Sequence, residues 1–135
     1  MYVLGIDQST QGTKAILVDQ SGKIAGRADR THKQIVNEKG WVSHDLEEIY
    51  QNVLLAVRDV VRQTGIDKNE IKTIGISNQR ETTAIWNRKG QALNHAVVWQ
   101  CSRARNIVKK LDKHAYDIKD KTGLNLSAYF PAGKM

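Results

Sequence analysis

Two apolar runs and a third strand-like segment fall within the first 31 residues, and the breaks between them are too short to hold a crossover. Tyr2–Ile6 is mostly apolar, Thr13–Asp19 carries Ala15, Ile16, Leu17 and Val18, and a third strand is expected from about Lys23 to Thr31. A parallel connection needs a dozen or more residues, so neighbours joined this closely must pair antiparallel. The "DQSG" at residues 19–22 is a turn signal in the second break. An antiparallel three-strand meander is therefore predicted. Residues 32–44 read as a loop carrying Gly40 and Trp41. A helix follows, because Asp45 and Glu48 have capping-box spacing and Leu46, Ile49, Tyr50, Val53, Leu54, Val57, Val60 and Val61 recur on one face. Gly65 ends it.

Beyond the helix, "IKTIGISNQRETTAIW" at residues 71–86 shows a second apolar run that stops at Ser77, a polar break, and a resumed strand from Thr83 to Trp86. A short apolar stretch, Ala96–Trp99, precedes a second helix in which Ala104, Ile107, Val108 and Leu111 share a face. Asp117–Met135 contains a Gly123 turn and the only proline, Pro131. A meander, a helix, then a further strand and helix is the element order of an α/β, ribonuclease H-like (actin-like ATPase) domain. That fold is shared by many activities, so chemistry must come from particular residues.

The two polar breaks carry that chemistry. In the first, Asp7 ends a strand, and the loop after it offers N–H groups from Ser9 to Thr13, hydroxyls at Ser9, Thr10 and Thr13, and the cation of Lys14. Such a loop suits phosphate oxygens beside a carboxylate that holds hydrated Mg²⁺; the same string also suits a polar hairpin with a solvated acid. In the second, Arg80 and Glu81 sit at a bend, either as a surface pair or as the fork and carboxylate that a polyhydroxyl ligand requires.

The rest of the composition narrows the classes. Lys+Arg of 21 against Asp+Glu of 14 gives a net charge of +7, which favours anionic ligands. The basic residues are scattered and the aromatics few, which argues against nucleic acid. Cys101 is the only cysteine, so no internal disulfide and no cysteine-built zinc site is available. His32, His44, His95 and His114 lack metal-ligand spacing and read as surface or core residues, and Trp41 and Trp86 as packing residues. With no signal peptide and no apolar stretch of membrane-spanning length, no membrane partner and a cytoplasmic location are expected. A nuclease of this fold needs a cluster of acids for two metals, and only Asp7 ends a core strand. A phosphate-binding module without catalysis remains a rival.

Five segments, "GIDQSTQGTKAILVD", "GWVSHD", "GISNQRETTAIWN", "AVVWQCSRAR" and "TGLNLSAYFPAGKM", resemble, in that order, the amino-terminal part of the FGGY carbohydrate kinases, and specifically their glycerol kinase branch. The resemblance implies ATP-dependent phosphorylation of a hydroxyl of a polyol or sugar. It implies Asp7 at the Mg²⁺ and phosphate site, and Thr10, Gln11, Gly12, Thr13 and Lys14 as the loop facing ATP. Arg80, Glu81, Trp99 and Tyr129 would line the acceptor pocket. The small molecule would be the partner of a full-length homo-oligomer. Residues 1–135 would form a partial N-terminal domain, inactive alone, because the family's catalytic base lies further along the chain. Departures from the glycerol branch are Ser9 for a glycine, Lys14 where Arg is common, and Ser127–Ala128 where Asp-Pro is usual. Gln79, Arg80 and Glu81 stand where xylulokinases carry Met-His-Gly, leaving a xylulokinase-like acceptor as the alternative.

Overall fold

The computed structural model describes residues 1–135. In chain order the strands and helices are β1 (Tyr2–Gln8), β2 (Gly12–Asp19), β3 (Ile24–Thr31), β4 (Ile35–Val36), β5 (Val42–His44), α1 (Leu46–Thr64), β6 (Ile71–Asn78), β7 (Ala96–Val97), α2 (Arg105–Lys110) and α3 (Ala115–Thr122). They fall into two compact units, Met1–Lys33 with Asp45–Gln79, and Gln34–His44 with Arg80–Met135.

The first unit is a four-stranded sheet in the order β3-β2-β1-β6. β1 pairs antiparallel with β2 and β2 with β3, as the short breaks require, while β6 returns parallel to β1 after the helix. Side chains alternate across a strand, and the register sets Leu4 opposite Leu17 and Ile6 opposite Ala15 on β1 and β2, with Ala28 of β3 beside Ala15. These residues and Ala56 and Val60 of α1 make the core. Leu17 and Val60 are fully buried, which is worth roughly 1.5–3 kcal/mol each. Gly26 of β3 lets the helix approach, since a Cβ there would stand 2.3 Å from Thr64 Cγ2.

Asp45 caps α1 as expected, its carboxylate accepting from the Glu47 and Glu48 N–H groups, and Gly65 closes it at φ 64°. Glu48 does not complete a capping box; its carboxylate accepts instead from the Lys33 N–H. The helix lies over β2 and β3 and only reaches β1. Against the periodicity reading, Tyr50 and Leu54 are exposed; Ile74 and Ile76 of β6 are exposed as well, since they share a face with Leu4 and Ile6 but lie outside the helix's cover.

The second unit holds a small antiparallel sheet in the order β4-β5-β7, so the expected loop at 32–44 contains two short strands. Its core gathers Val42, Val98 and Cys101, with Trp41, Val97 and Trp99 packed against them. The strand expected at Thr83–Trp86 is reduced to two isolated bridges, Thr83 with Val97 and Trp86 with Ala92. Trp86 is 63% exposed, against its reading as a packing residue, whereas Trp41 does pack. The second helix is a single short α2 preceded by a 3-10 turn at Ser102–Ala104. No apolar periodicity announces helix α3, whose residues are mostly polar; Gly123 caps it at φ 73°.

Candidate active site

Asp7 stands near the carboxyl end of β1, the inner strand flanked by β2 and β6, opposite Lys14 on one side and Ser77 on the other. Carboxyl ends of strands in sheets of this kind are where ligands bind. Lys14 Nζ donates to Asp7 Oδ2 at 3.5 Å, and the two side chains are 36% and 45% exposed. The pair is thus open to solvent and available to a ligand.

The hairpin that joins β1 to β2 is narrower in its offerings than the sequence suggests. The Ser9 N–H and the Ser9 hydroxyl both donate to the Gly12 carbonyl, at 2.8 and 3.0 Å. Ser9 is therefore spent on the turn and is withdrawn from the set of phosphate donors. Gly12 is small for a reason internal to the fold: a Cβ there would lie 2.4 Å from the Arg30 carbonyl oxygen and 3.1 Å from Thr31 Cα. The Thr13 side chain is buried, and its hydroxyl has no hydrogen-bond partner. Thr10 is half-buried and Gln11 exposed.

A shallow depression of about 160 Å³ takes in Gln11, Gly12, Thr13 and Lys14 together with Asp29 and Arg30 of β3, but neither Thr10 nor Asp7 lines it. Its β3 charges are already engaged. Arg30 pairs with Asp59 of α1, and Arg27 clasps Asp29 through two bonds of 2.7 and 2.8 Å. The Arg27 hydrogen bond holds the Asp29 carboxyl below its usual range.

In the second unit, Trp99 and Tyr129 meet edge to face, with ring centroids 5.7 Å apart. Both line a depression of about 320 Å³ that also takes in Ser102, Arg105 and Ser127; Arg80 and Glu81 do not line it. Arg80 is exposed, and no ion pair joins it to Glu81. Glu81 has φ 63°, the only non-glycine residue of the chain at positive φ. Its neighbour Thr82 accepts a hydrogen bond from the Trp99 N–H at 3.2 Å.

Two further cations, Arg103 and Lys134, knit this unit together. Arg103 donates from Nε to Cys101 Sγ at 3.0 Å and from Nη2 to Ser43 Oγ at 2.6 Å, and its guanidinium lies 5.3 Å from the Trp41 ring centroid. Burial pushes the Cys101 thiol up, but N–H donors from Arg103 and Val42 outweigh it, and the net shift is downward. At 2% exposure Cys101 is a structural residue. Lys134 donates to three backbone carbonyls, those of Tyr129, Trp99 and Glu81. Burial holds its ammonium below the usual lysine range, with Cys101 and Glu81 pulling the other way. In the sequence it stands within the segment "TGLNLSAYFPAGKM", as a cation following a Pro-Ala-Gly turn.

A meander, a covering helix and a returning parallel strand with an acid at the sheet's carboxyl edge define an α/β domain of the actin-like ATPase class. The profile of the FGGY family of carbohydrate kinases, N-terminal domain, matches residues 2–135, and the chain belongs to that family. It is 48% identical over its whole length to glycerol kinase 1 of Thermotoga maritima, of which it spans 28%. The crystal structure of Plasmodium falciparum glycerol kinase with ADP superposes with a TM-score of 0.91 at 35% identity, over 98% of this chain and 27% of that one. A xylulose-type kinase from Brucella ovis shares the fold, with a TM-score of 0.92 at 22% identity over 99% of this chain and 28% of its own. No helix is long and apolar enough to cross a membrane.

Proposed function

We propose that residues 1–135 form part of the N-terminal domain of a kinase that transfers the γ-phosphoryl group of ATP to a hydroxyl of glycerol or a related short polyol. The observation that carries the acceptor assignment is the 48% identity with a glycerol kinase along the whole chain. Supporting it, Glu81, Trp99 and Tyr129 lie around one lysine. In this reading Arg80 and Glu81 take the hydroxyls, and the rings of Trp99 and Tyr129 cover the carbon chain.

Nucleotide and metal fit the residues of the first unit. A half-exposed carboxylate beside an ammonium at the carboxyl end of β1 suits a phosphate held with hydrated Mg²⁺. ATP with Mg²⁺ supplies the phosphoryl group and neutralises its charge. Asp7 would orient the hydrated ion, Lys14 would offer charge to phosphate oxygens, and the main chain of the Thr10–Gln11 turn would offer further donors.

The test is steady-state kinetics of Arg80→Ala and Glu81→Ala in the full-length enzyme against glycerol, a tetritol and xylulose. A short polyol has little apolar surface, so each charged hydrogen bond is worth roughly 1.5–3 kcal/mol and its loss raises acceptor KM by about 10- to 100-fold. ATP KM is expected to stay put. Unchanged KM for every acceptor rejects the pocket, and a parent preference for xylulose rejects the glycerol branch. Residues 1–135 expressed alone are expected to release no ADP with any of these acceptors; turnover above a protein-free control would overturn that.

A further inference from the structure

Lys134 follows the 3-10 turn Pro131–Gly133, its own N–H donating to the Pro131 carbonyl at 2.8 Å. That turn is seated against α2: a Cβ on Gly133 would lie 3.3 Å from Ala104 Cβ and 3.4 Å from Val108 Cγ2. From this anchored base the side chain reaches three separate stretches of chain. Its Nζ donates to Tyr129 O at 2.6 Å, to Trp99 O at 3.0 Å and to Glu81 O at 3.3 Å. An ammonium has three donors and no acceptor, and here each donor meets a carbonyl. No carboxylate forms an ion pair with it, so its role differs from that of a surface charge.

The identity of the three carbonyls gives the contact its meaning. They belong to three of the four residues assigned to the acceptor pocket, each on a different segment. Glu81 is also the chain's one non-glycine residue at positive φ, a conformation disfavoured for L-residues that persists only where the surroundings hold it. A charged hydrogen bond to the Glu81 carbonyl is such a hold. The Thr82–Trp99 bond and the Trp99–Tyr129 ring contact tie the same three segments a second time.

We propose that Lys134 is a positioning residue for the acceptor site: its ammonium clamps the backbones of Glu81, Trp99 and Tyr129 and so fixes where the Glu81 carboxylate and the two rings stand. It touches no acceptor atom itself. The inference rests on the reading of these residues as the polyol pocket, and it adds the group that assembles them.

The experiment compares Lys134→Met, which keeps the stem and removes every donor, with Lys134→Arg, which keeps the charge on a planar fork unable to converge on three carbonyls as an ammonium does. Both are made in the full-length enzyme. Lys134→Met is expected to raise glycerol KM by roughly 10- to 100-fold with ATP KM unchanged and kcat reduced less, and Lys134→Arg is expected to recover part of the loss. Hydrogen–deuterium exchange of the same proteins is expected to show faster exchange around residues 80–83, 98–100 and 128–131, with β1, β2 and α1 unchanged. If Lys134→Met fails to fold, Lys134→Arg decides: raised glycerol KM with ATP KM intact supports the clamp. Parental glycerol KM in the folded variants, an equal rise in both KM values, or unaltered exchange in the three segments overturns it. If the parent itself shows no polyol-dependent ADP release, the pocket reading fails, and the exchange pattern alone then judges whether Lys134 holds the three segments.

Discussion

Replacing Asp7 by Asn in the full-length enzyme separates a structural from a catalytic role for the acid. Asp7 Oδ2 and Lys14 Nζ are 3.5 Å apart and the side chains are 45% and 36% exposed. With the dielectric of water, Coulomb's law gives about 1.2 kcal/mol at that distance before salt screening, and measured exposed pairs contribute roughly 0–1 kcal/mol. Loss of the charge should therefore cost less than about 1 kcal/mol in urea unfolding. If Asp7 serves the phosphate site as proposed, the effect on catalysis should be far larger, because the charge would then act where charge moves in the phosphoryl transfer. Losing one preorganised electrostatic contact there typically lowers kcat on the order of 10²- to 10³-fold. Acceptor KM should change less than kcat, because in the proposed reading the charge acts on the transferring phosphoryl group and not on the acceptor hydroxyls. Chemical denaturation, a coupled ADP-release assay and a cycle with Lys14→Met supply the measurements. A stability loss above about 2 kcal/mol, or an acceptor KM that rises while kcat is preserved, refutes the assignment of Asp7 to the phosphate site.

Gly12→Ala places a methyl 2.4 Å from the Arg30 carbonyl oxygen, and overpacking of this kind costs roughly 1–3 kcal/mol; parental stability in urea unfolding would show that β3 yields freely. Asp19 accepts from the Ser21 hydroxyl at 2.7 Å and from the Lys23 N–H at 3.0 Å, and these bonds hold its carboxyl below the ordinary 3.8 against a smaller opposing effect of burial. Because the folded value is the depressed one, the stabilisation is present above the unfolded pKa and fades as pH falls through the folded pKa. Carboxyl-carbon NMR should show Asp19 titrating below 3.8 and moving upward in Ser21→Ala; titration at or above 3.8 contradicts the turn geometry.

The parts of the fold that follow local rules were legible in the sequence. Apolar stretches and the turn at Asp19–Gly22 placed β1, β2 and β3 to within a few residues, and the Asp45 cap with Gly65 bounded α1. Where one face was inferred from periodicity alone, the reading overshot. Tyr50 and Leu54 sit on the apolar stripe of α1, yet the stripe is wider than the strands beneath it. Thr83–Trp86 has strand-forming residues but finds bridging partners only at Thr83 and Trp86, so ladder formation stops there. Helix α3 carries too few apolar residues for a periodic signal.

What the sequence determined by itself was the order of elements, the acid at the end of β1, and the bend that carries Arg80 and Glu81, because each depends on neighbours a few residues away. Only the tertiary structure decided which partners those residues meet. Gly12 is small because the Arg30 carbonyl of β3 lies against it, Ser9 is consumed by its own turn, and Lys134 closes on carbonyls that are 5, 35 and 53 residues away in sequence. No periodicity encodes such meetings: a backbone carbonyl looks the same at every position, and which three of them an ammonium can reach is known only once the chain has packed.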